Sequence, residues 1–211
     1  MDQKLKKRLG LSSLVLFATL VYKLIDFPGG MILSGLFIGG IMIVLILMGV
    51  TVLTGVIFIV AKKLDFWTVF FALTTISFCV FHYQIYSPTL KIIVPENYTG
   101  QVCLVKSTVP EDILTLDSNG IGYLNHRDFG DSYTKPIVVD TKGNDLSKQC
   151  VGFNPHTFYA LGTSSGSDKS YKIISMSFDL VPEDKIGIKQ YYNTDLMDLV
   201  DRNKIDTTVS K

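Results

Sequence analysis

The chain has 211 residues, a net charge of +1 and 47% hydrophobic residues. Its mean hydropathy of +0.33 is high for a soluble domain. The long apolar runs nearly all precede Tyr86, and the remainder is rich in Asp, Lys, Gly and Asn. This division predicts a membrane part and a soluble part. The near-zero net charge and the lack of a dense basic patch in the soluble part argue against a nucleic-acid partner.

Residues 1–87 are predicted to form a membrane domain with three helical spans, near 9–25, 31–61 and 66–86. The central span includes Met31 to Val60, an uncharged run longer than the roughly 18 apolar residues that indicate a membrane helix. The first span follows a basic segment, which is also the pattern of a cleavable signal peptide. We expect an uncleaved helix, because no convincing cleavage site of small residues follows.

The basic residues predict the orientation in the membrane. They gather at one side of the predicted spans: Lys4, Lys6, Lys7, Arg8, Lys62 and Lys63. Cytoplasmic loops are enriched in Lys and Arg, so the N-terminus is expected in the cytoplasm and residues 87–211 outside it. The prediction is a multi-pass protein of the inner (plasma) membrane. The spans contain no Asp, Glu or Arg at membrane depth, which argues against a transporter.

Small residues form one face of the second span: Ser34, Gly35, Gly39 and Gly40. Glycines four residues apart allow another helix to approach closely. We expect this face to pack against the other spans of the same chain. The alternative is a contact with a partner membrane protein.

Residues 88–192 are predicted to form an exported all-β domain. Short β-branched segments alternate with polar turns, and Asn119-Gly120 between two apolar runs is typical of a hairpin. The strand candidates are 90–94, 100–106, 113–116, 121–124, 136–140, 149–153, 157–161 and 171–180. Their spacing favours a β-sandwich over a small barrel. Residues 193–211 are predicted to form a short C-terminal helix, packed on the sandwich, and a tail.

Candidate site residues are few. Cys103 and Cys150 lie on strand candidates of the exported domain, where an oxidising compartment would permit a disulfide, and the sequence leaves open whether they pair or stay buried thiols. A charged and aromatic loop is the best candidate for recognition: His126, Arg127, Asp128, Phe129 and Tyr133. His126-Arg127-Asp128 matches the catalytic-loop triplet of protein kinases, but the Gly-rich loop and the strand lysine are absent. The Asp-Phe-Gly that follows overlaps the triplet and cannot serve its separate role, so the kinase interpretation is rejected. Neither His126 nor His156 has a second ligand at metal-site spacing, so we expect neither a metal nor a cofactor.

The segment Val94-Pro-Glu-Asn-Tyr-Thr-Gly-Gln-Val102, followed by Ser118-Asn-Gly-Ile-Gly-Tyr-Leu124, resembles an uncharacterised envelope-domain family of Bacteroidota bacteria. The resemblance covers about thirty residues of the soluble part. It implies a bacterial inner-membrane protein with a periplasmic β-domain, and it implies no activity.

The sequence therefore favours a non-enzymatic membrane protein whose exported β-domain binds a partner or supports envelope assembly. The first alternative is an accessory subunit of a larger membrane complex, contacted through Gly35 and Gly39 or through the β-domain. An enzyme that uses the loop near His126 is the third hypothesis.

Overall fold

The computed structural model describes residues 3–25, 27, 33–153, 157–165, 172–188 and 194–205. The chain divides into two compact units, Met1–Tyr86 and Ser87–Lys211. The first unit consists of three long helices, and the second is rich in β-structure.

The helices of the first unit are α1 (Gln3–Lys23), α2 (Gly35–Val60) and α3 (Phe66–Gln84). Helix α2 begins at Ser34, whose hydroxyl accepts a hydrogen bond from the Phe37 N–H at 3.3 Å. Helix α3 begins at Asp65, whose carboxylate accepts from both the N–H and the hydroxyl of Thr68. Such side chains satisfy amide groups that the first helical turn leaves unpaired.

Helices α2 and α3 are long and apolar enough to cross a membrane, with mean hydropathies of 2.9 and 1.5. The prediction of three spans is not supported, because α1 is not among these candidates. Helix α1 already begins at Gln3, so the basic residues Lys4, Lys6, Lys7 and Arg8 form part of its first two turns. Its uncharged part, residues 9–22, is only about 21 Å long, against a hydrocarbon core of about 30 Å.

Helix α1 runs parallel to α3 along its whole length. Near its start, Lys6 Nζ lies 3.3 Å from Asp65 Oδ2, at the beginning of α3. Beyond its middle, Thr19 Oγ1 lies 3.0 Å from His82 Nε2, near the end of α3. A buried cluster joins the three helices near this second contact, and it consists of Leu20, Leu24, Ile43, Phe78, Phe81 and Ile85.

A five-stranded sheet forms the centre of the second unit. Its order is β3 (Ile121–Leu124), β2 (Gly100–Lys106), β7 (Lys172–Leu180) and β5 (Cys150–Val151), with β6 (Ala160–Ser165) also paired to β7. Strands β2 and β3 are parallel, whereas β7 is antiparallel to β2, β5 and β6. A separate parallel pair is formed by β1 (Lys91–Val94) and β4 (Ile137–Asp140).

The main hydrophobic cluster contains side chains from both sheets. Ile92 and Val138 come from the β1–β4 pair, and Leu104, Met176 and Phe178 come from β2 and β7 of the larger sheet. These side chains are at most 3% exposed. The opposite face of the larger sheet is covered by the segment 194–205, which contains the short helix α5 (Leu196–Leu199). Strands β2, β3 and β7 are thus largely buried on both faces, whereas β6 is mostly exposed.

The hairpin predicted around Asn119-Gly120 is present, but its first arm is shared between the two sheets. Ile113 exchanges backbone hydrogen bonds with Tyr123 of β3, at 2.7 and 2.9 Å. Two residues later, Thr115 pairs with Ile93 of β1 in a parallel bridge. This arm therefore links the edge of the larger sheet to the β1–β4 pair.

Candidate functional site

The segment predicted as a recognition loop is instead a short helix, α4 (His126–Asp131). Asn125 begins it, because its side-chain oxygen accepts from the N–H groups of Arg127 and Asp128, both at 2.9 Å. The helix makes one exposed ion pair along its surface, between Arg127 and Asp131 at 3.9 Å. Exposed pairs of this kind contribute little to stability.

Two carboxylates converge on the same asparagine. Asn125 Nδ2 donates to Asp112 Oδ1 at 2.9 Å and to Asp128 Oδ2 at 2.8 Å. The Asn125 N–H also donates to Asp112 Oδ1, at 2.8 Å. Burial raises the pKa of Asp112, and the adjacent Asp128 carboxylate opposes its ionisation further. The cluster fixes α4 to the segment that precedes the hairpin, and neither carboxylate lacks a donor.

The five predicted recognition residues do not share one surface role. His126 and Arg127 are exposed, whereas Phe129 packs against the main hydrophobic cluster. Asp128 is held by Asn125, and the Tyr133 N–H donates to Ser87 Oγ at 3.0 Å. Asn125 and Asp112, whose hydrogen bonds hold α4 in place, were not identified from the sequence. Asn immediately before a segment with an acid three residues later is a helix-start signal, and it could have identified Asn125.

Within the described ranges, no group of three or more His, Cys, Asp or Glu residues is arranged to hold a metal ion. His126 therefore belongs to no such group. His156, the other histidine considered in the sequence, lies outside the described residues.

Cys103 and Cys150 are both free thiols, so the disulfide alternative is not realised in this structure. Cys103 on β2 pairs with Ser177 of β7, and Cys150 on β5 pairs with Leu180 on the other side of the same strand. Two strand spacings, with a further offset of three residues along β7, separate the cysteines by more than about 10 Å, beyond the roughly 7 Å that a disulfide can bridge. They also belong to different clusters on opposite faces of the sheet. Burial raises the pKa of each thiol to about 12.

The small-residue face of α2 lies against the chain's own residues. A Cβ added at Gly35 would lie 1.7 Å from the Phe27 carbonyl oxygen, and one at Gly39 would lie 2.2 Å from Leu24 Cδ2. A Cβ added at Gly40 would meet no other atom within 4 Å, and Ser34 is the N-cap of α2. Gly35 and Gly39 are therefore needed for close packing at the end of α1.

Polar side chains line the contact between α1 and α3. Ser13 Oγ lies 2.8 Å from Thr75 Oγ1 and donates to the Phe71 carbonyl at 3.1 Å. At the far end, Thr19 contacts His82, and Lys23 Nζ donates to the His82 carbonyl at 3.2 Å. Hydrogen bonds between apolar helices fix their axial position.

The residues that carry the family resemblance surround one tyrosine. Tyr98 Oη donates to the carbonyl of Gln101 at 2.6 Å and to that of Asn119 at 3.3 Å. A Cβ on Gly120 would lie 1.8 Å from this oxygen, and one on Gly100 would lie 3.3 Å from it. The motif therefore has a structural reason: the two glycines leave space for a tyrosine that joins two turns.

The comparisons with known proteins identify no family. No family model matches the chain, and no curated protein is significantly similar to it. A crystal structure described as "Putative Lipoprotein from Bacillus anthracis" matches 52% of this chain and 85% of its own, with 12% sequence identity and a TM-score of 0.27. A similarity at this level supports no conclusion about fold or function, and the resemblance to the envelope-domain family stays a prediction.

Proposed function

We propose that the protein is an integral membrane protein whose first unit anchors an extracytoplasmic β-domain for binding or envelope assembly. The observation that supports this best is the exposure of α2 and α3. In the most apolar stretch of 18 residues, only 17% of α2 and 22% of α3 are buried. A core helix of a soluble protein would be mostly buried, whereas lipid solvates apolar side chains on all sides.

We extend this proposal to a third span, α1. Because α1 lies parallel to α3 from Lys6 to Lys23, a bilayer that surrounds α3 also surrounds α1. Lys6 and Lys23, near the two ends of α1, can extend their ammonium groups to the two headgroup regions. The short uncharged stretch of α1 is then compatible with a complete crossing.

The proposed orientation follows from the same contacts. The ion pair between Lys6 and Asp65 brings the basic start of α1 to the level of the loop that contains Lys62 and Lys63. The positive-inside rule places this end in the cytoplasm and residues 87–211 outside. In the extracytoplasmic unit, the two packed sheets and their shared core favour a small β-sandwich.

The experiment is a topology measurement in a bacterial host. A reporter that is active only outside the cytoplasm is fused after Lys211 and, in a second construction, within the loop after Lys63. We expect activity only from the first fusion, and a membrane fraction that resists carbonate extraction. Activity only from the loop fusion would reverse the orientation, and extraction by carbonate would contradict membrane insertion.

The accessory-subunit alternative is favoured by a different part of α2 than the sequence suggested. Gly35 and Gly39 are covered by the same chain, but a shallow apolar cavity of about 380 Å³ lies farther along the helix, lined by Val44, Leu47, Met48, Thr51 and Val52. A partner span could pack there. Co-purification of one partner at fixed stoichiometry, lost in Thr51→Phe and retained in Ile76→Phe, would favour this alternative.

The enzyme hypothesis near His126 is the least favoured, because Asp128 is engaged in holding α4. Its test is the His126→Ala variant, and an unchanged growth phenotype in the host would contradict it.

A further inference from the structure

We infer that one end of the first unit is a binding surface for anionic phospholipid headgroups. It consists of six basic residues, Lys4, Lys6, Lys7, Arg8, Lys62 and Lys63, and is called the basic end below. The inference rests on the proposed membrane insertion and goes beyond it, because an uncharged bilayer would suffice to hold the helices.

The structure brings these cations together from two distant segments. Lys6 of α1 pairs with Asp65 across 3.3 Å, so the first turns of α1 lie beside the loop that joins α2 to α3. The basic residues of α1 are thereby placed at the same level as Lys62 and Lys63. Neither segment alone has six cations, and their convergence depends on the parallel packing of α1 and α3.

The basic end has a large excess of positive charge. Asp65 is the sole acidic residue that the structure describes in this unit, and Thr68 and Lys6 already occupy its carboxylate. Over the described ranges, Lys7, Arg8, Lys62 and Lys63 make no ion pair, and all four side chains are exposed. Clusters of four to eight Lys and Arg at the membrane surface attract anionic lipids.

The surroundings of the basic end match a lipid rather than a soluble anion. Apolar side chains next to the cations are exposed, including Leu5 at 45%, Val60 at 81% and Trp67 at 52%. A phospholipid can place its phosphate among the ammonium groups and its acyl chains along these side chains. Trp in this position is typical of the membrane interface. A free anion would gain only the electrostatic part of this interaction.

Trp67 is the only tryptophan of the chain, and it lies at the basic end, so its fluorescence reports local lipid directly. The full chain is reconstituted in vesicles of phosphatidylcholine. Either phosphatidylcholine or phosphatidylglycerol is then introduced with bromine on the acyl chains near the headgroup. We expect brominated phosphatidylglycerol to quench Trp67 at lower mole fraction, with a relative binding constant of about fivefold.

The preference should depend on these cations and on salt. In the K7Q/R8Q/K62Q/K63Q variant we expect the two brominated lipids to quench equally. The matched control removes four exposed lysines of the second unit, K91Q/K148Q/K172Q/K185Q, and should keep the preference. If the first variant does not insert, the wild-type protein still tests the inference. Raising NaCl to about 0.5 M should abolish its preference for phosphatidylglycerol, because salt screens the attraction to the headgroups.

Equal quenching of the wild-type protein by both lipids at low salt would overturn the headgroup inference and leave membrane insertion intact. Quenching by neither lipid would overturn the proposed insertion itself. A preference that survives both the quadruple substitution and high salt would also overturn the inference, because it would not arise from these charges.

Discussion

At the scale of single residues, Gly120 shows most clearly why the motif in the β-domain has its composition. Its φ of +77° lies in the left-handed region, and its α-carbon faces both Tyr98 Oη and the Gln101 carbonyl. Two requirements therefore coincide at one position, because the residue must tolerate a positive φ and must leave space for another side chain.

Substitution Gly120→Ala is expected to destabilise the second unit by about 2–4 kcal/mol, since it adds overpacking to an unfavourable backbone conformation. Gly143→Ala is the matched control. Gly143 also has a positive φ, +88°, but a Cβ there would meet open space, so a loss of about 1 kcal/mol is expected. Denaturant unfolding in detergent, followed by near-ultraviolet circular dichroism, measures both. Equal losses would show that the Tyr98 contact has no energetic effect.

Asp112 is expected to make stability depend on pH. Its pKa is raised in the folded protein by burial and then by Asp128, so the folded state binds more protons than the unfolded state near the ordinary aspartate pKa. Its contribution to stability is present at low pH and is lost as the pH rises through the folded-state pKa. The Asp112→Asn variant should therefore gain stability relative to wild type as the pH rises above the ordinary aspartate pKa of about 4.

Asp140→Asn is the control with the opposite sign. Hydrogen bonding from Asn144 lowers the pKa of Asp140, so wild type loses this contribution as the pH falls below the ordinary aspartate pKa of about 4 and through the folded-state pKa. The free energy of unfolding of both variants is measured against pH. Parallel curves for the two variants would contradict the assignment of Asp112.

The sequence predicted these residue-scale features only where they act through the backbone. The turn at Asn119-Gly120 was predicted because both residue types tolerate a positive φ. The Asp112–Asn125–Asp128 cluster was not, because the Asp112 contacts join residues 13 positions apart and depend on how two segments pack. For the same reason the sequence could not decide the state of Cys103 and Cys150, whose separation is set by the position of β7 between them.

At the scale of elements, the sequence predicted which segments form strands better than it predicted where those strands end or with which strands they pair. Strand β2 has the predicted bounds, whereas β6 begins at Ala160 rather than Thr157. Helix α4 was missed because six residues are too few to show helical periodicity. The C-terminal helix was predicted from 193 to 200, and the described part is one turn, Leu196–Leu199, which begins at Asp195.

The segment around α5 gives a prediction with an internal control. Leu196 is 5% exposed in the second hydrophobic cluster, whereas Leu199, in the same turn, is 40% exposed. Leu196→Ala should cost about 2–4 kcal/mol through lost burial and a cavity. Leu199→Ala should cost less than about 1 kcal/mol.

Hydrogen exchange offers a local measurement of the same effect. The Thr108 N–H donates to the Lys204 carbonyl at 2.9 Å, so its protection reports whether the segment 194–205 stays on the sheet. Protection should fall in Leu196→Ala and persist in Leu199→Ala. Unchanged protection in both variants would mean that Leu196 does not hold the segment in place.

At the scale of the whole molecule, the apolar pattern predicted three helices, but only contacts between distant residues reveal how they pack. By hydropathy alone, the polar residues of α1 weaken it as a short span. In the structure Ser13 and Thr19 face α3, where Thr75 and His82 provide partners. Hydropathy could not show this, since it scores each residue without its neighbours.

The parallel packing of α1 and α3 is tested by a disulfide between helices. With Cys79 replaced by Ala, the pair Ser13→Cys and Thr75→Cys should cross-link readily in membranes, because the native hydroxyl oxygens are 2.8 Å apart. Ser12→Cys with Thr75→Cys is the control, since Ser12 is exposed. The cross-link is measured as a shift in non-reducing electrophoresis after cleavage between the helices. Equal yields in the two pairs would contradict the packing.

The parallel pairing of β1 with β4 and of β2 with β3 also could not be predicted. Parallel strands are usually joined through a helix. Here the hairpin arm lies between β2 and β3, whereas the long connection from β1 to β4 contains β2, β3 and α4. Alternating polarity along a strand specifies which face is buried, but it does not specify the direction of the neighbouring strand.

The position of β7 has a consequence for biosynthesis. This strand is the common neighbour of β2, β5 and β6, yet it lies at residues 172–180, after all of them in the chain. A nascent chain that has emerged only to residue 165 lacks the strand on which three others depend, and so it cannot bury the central core. On the proposed topology, the second unit should therefore cross the membrane as an unfolded polypeptide and fold only when its last strand and the segment 194–205 arrive. Folding would then follow translocation, and chaperones at the exit side would meet the whole domain at once.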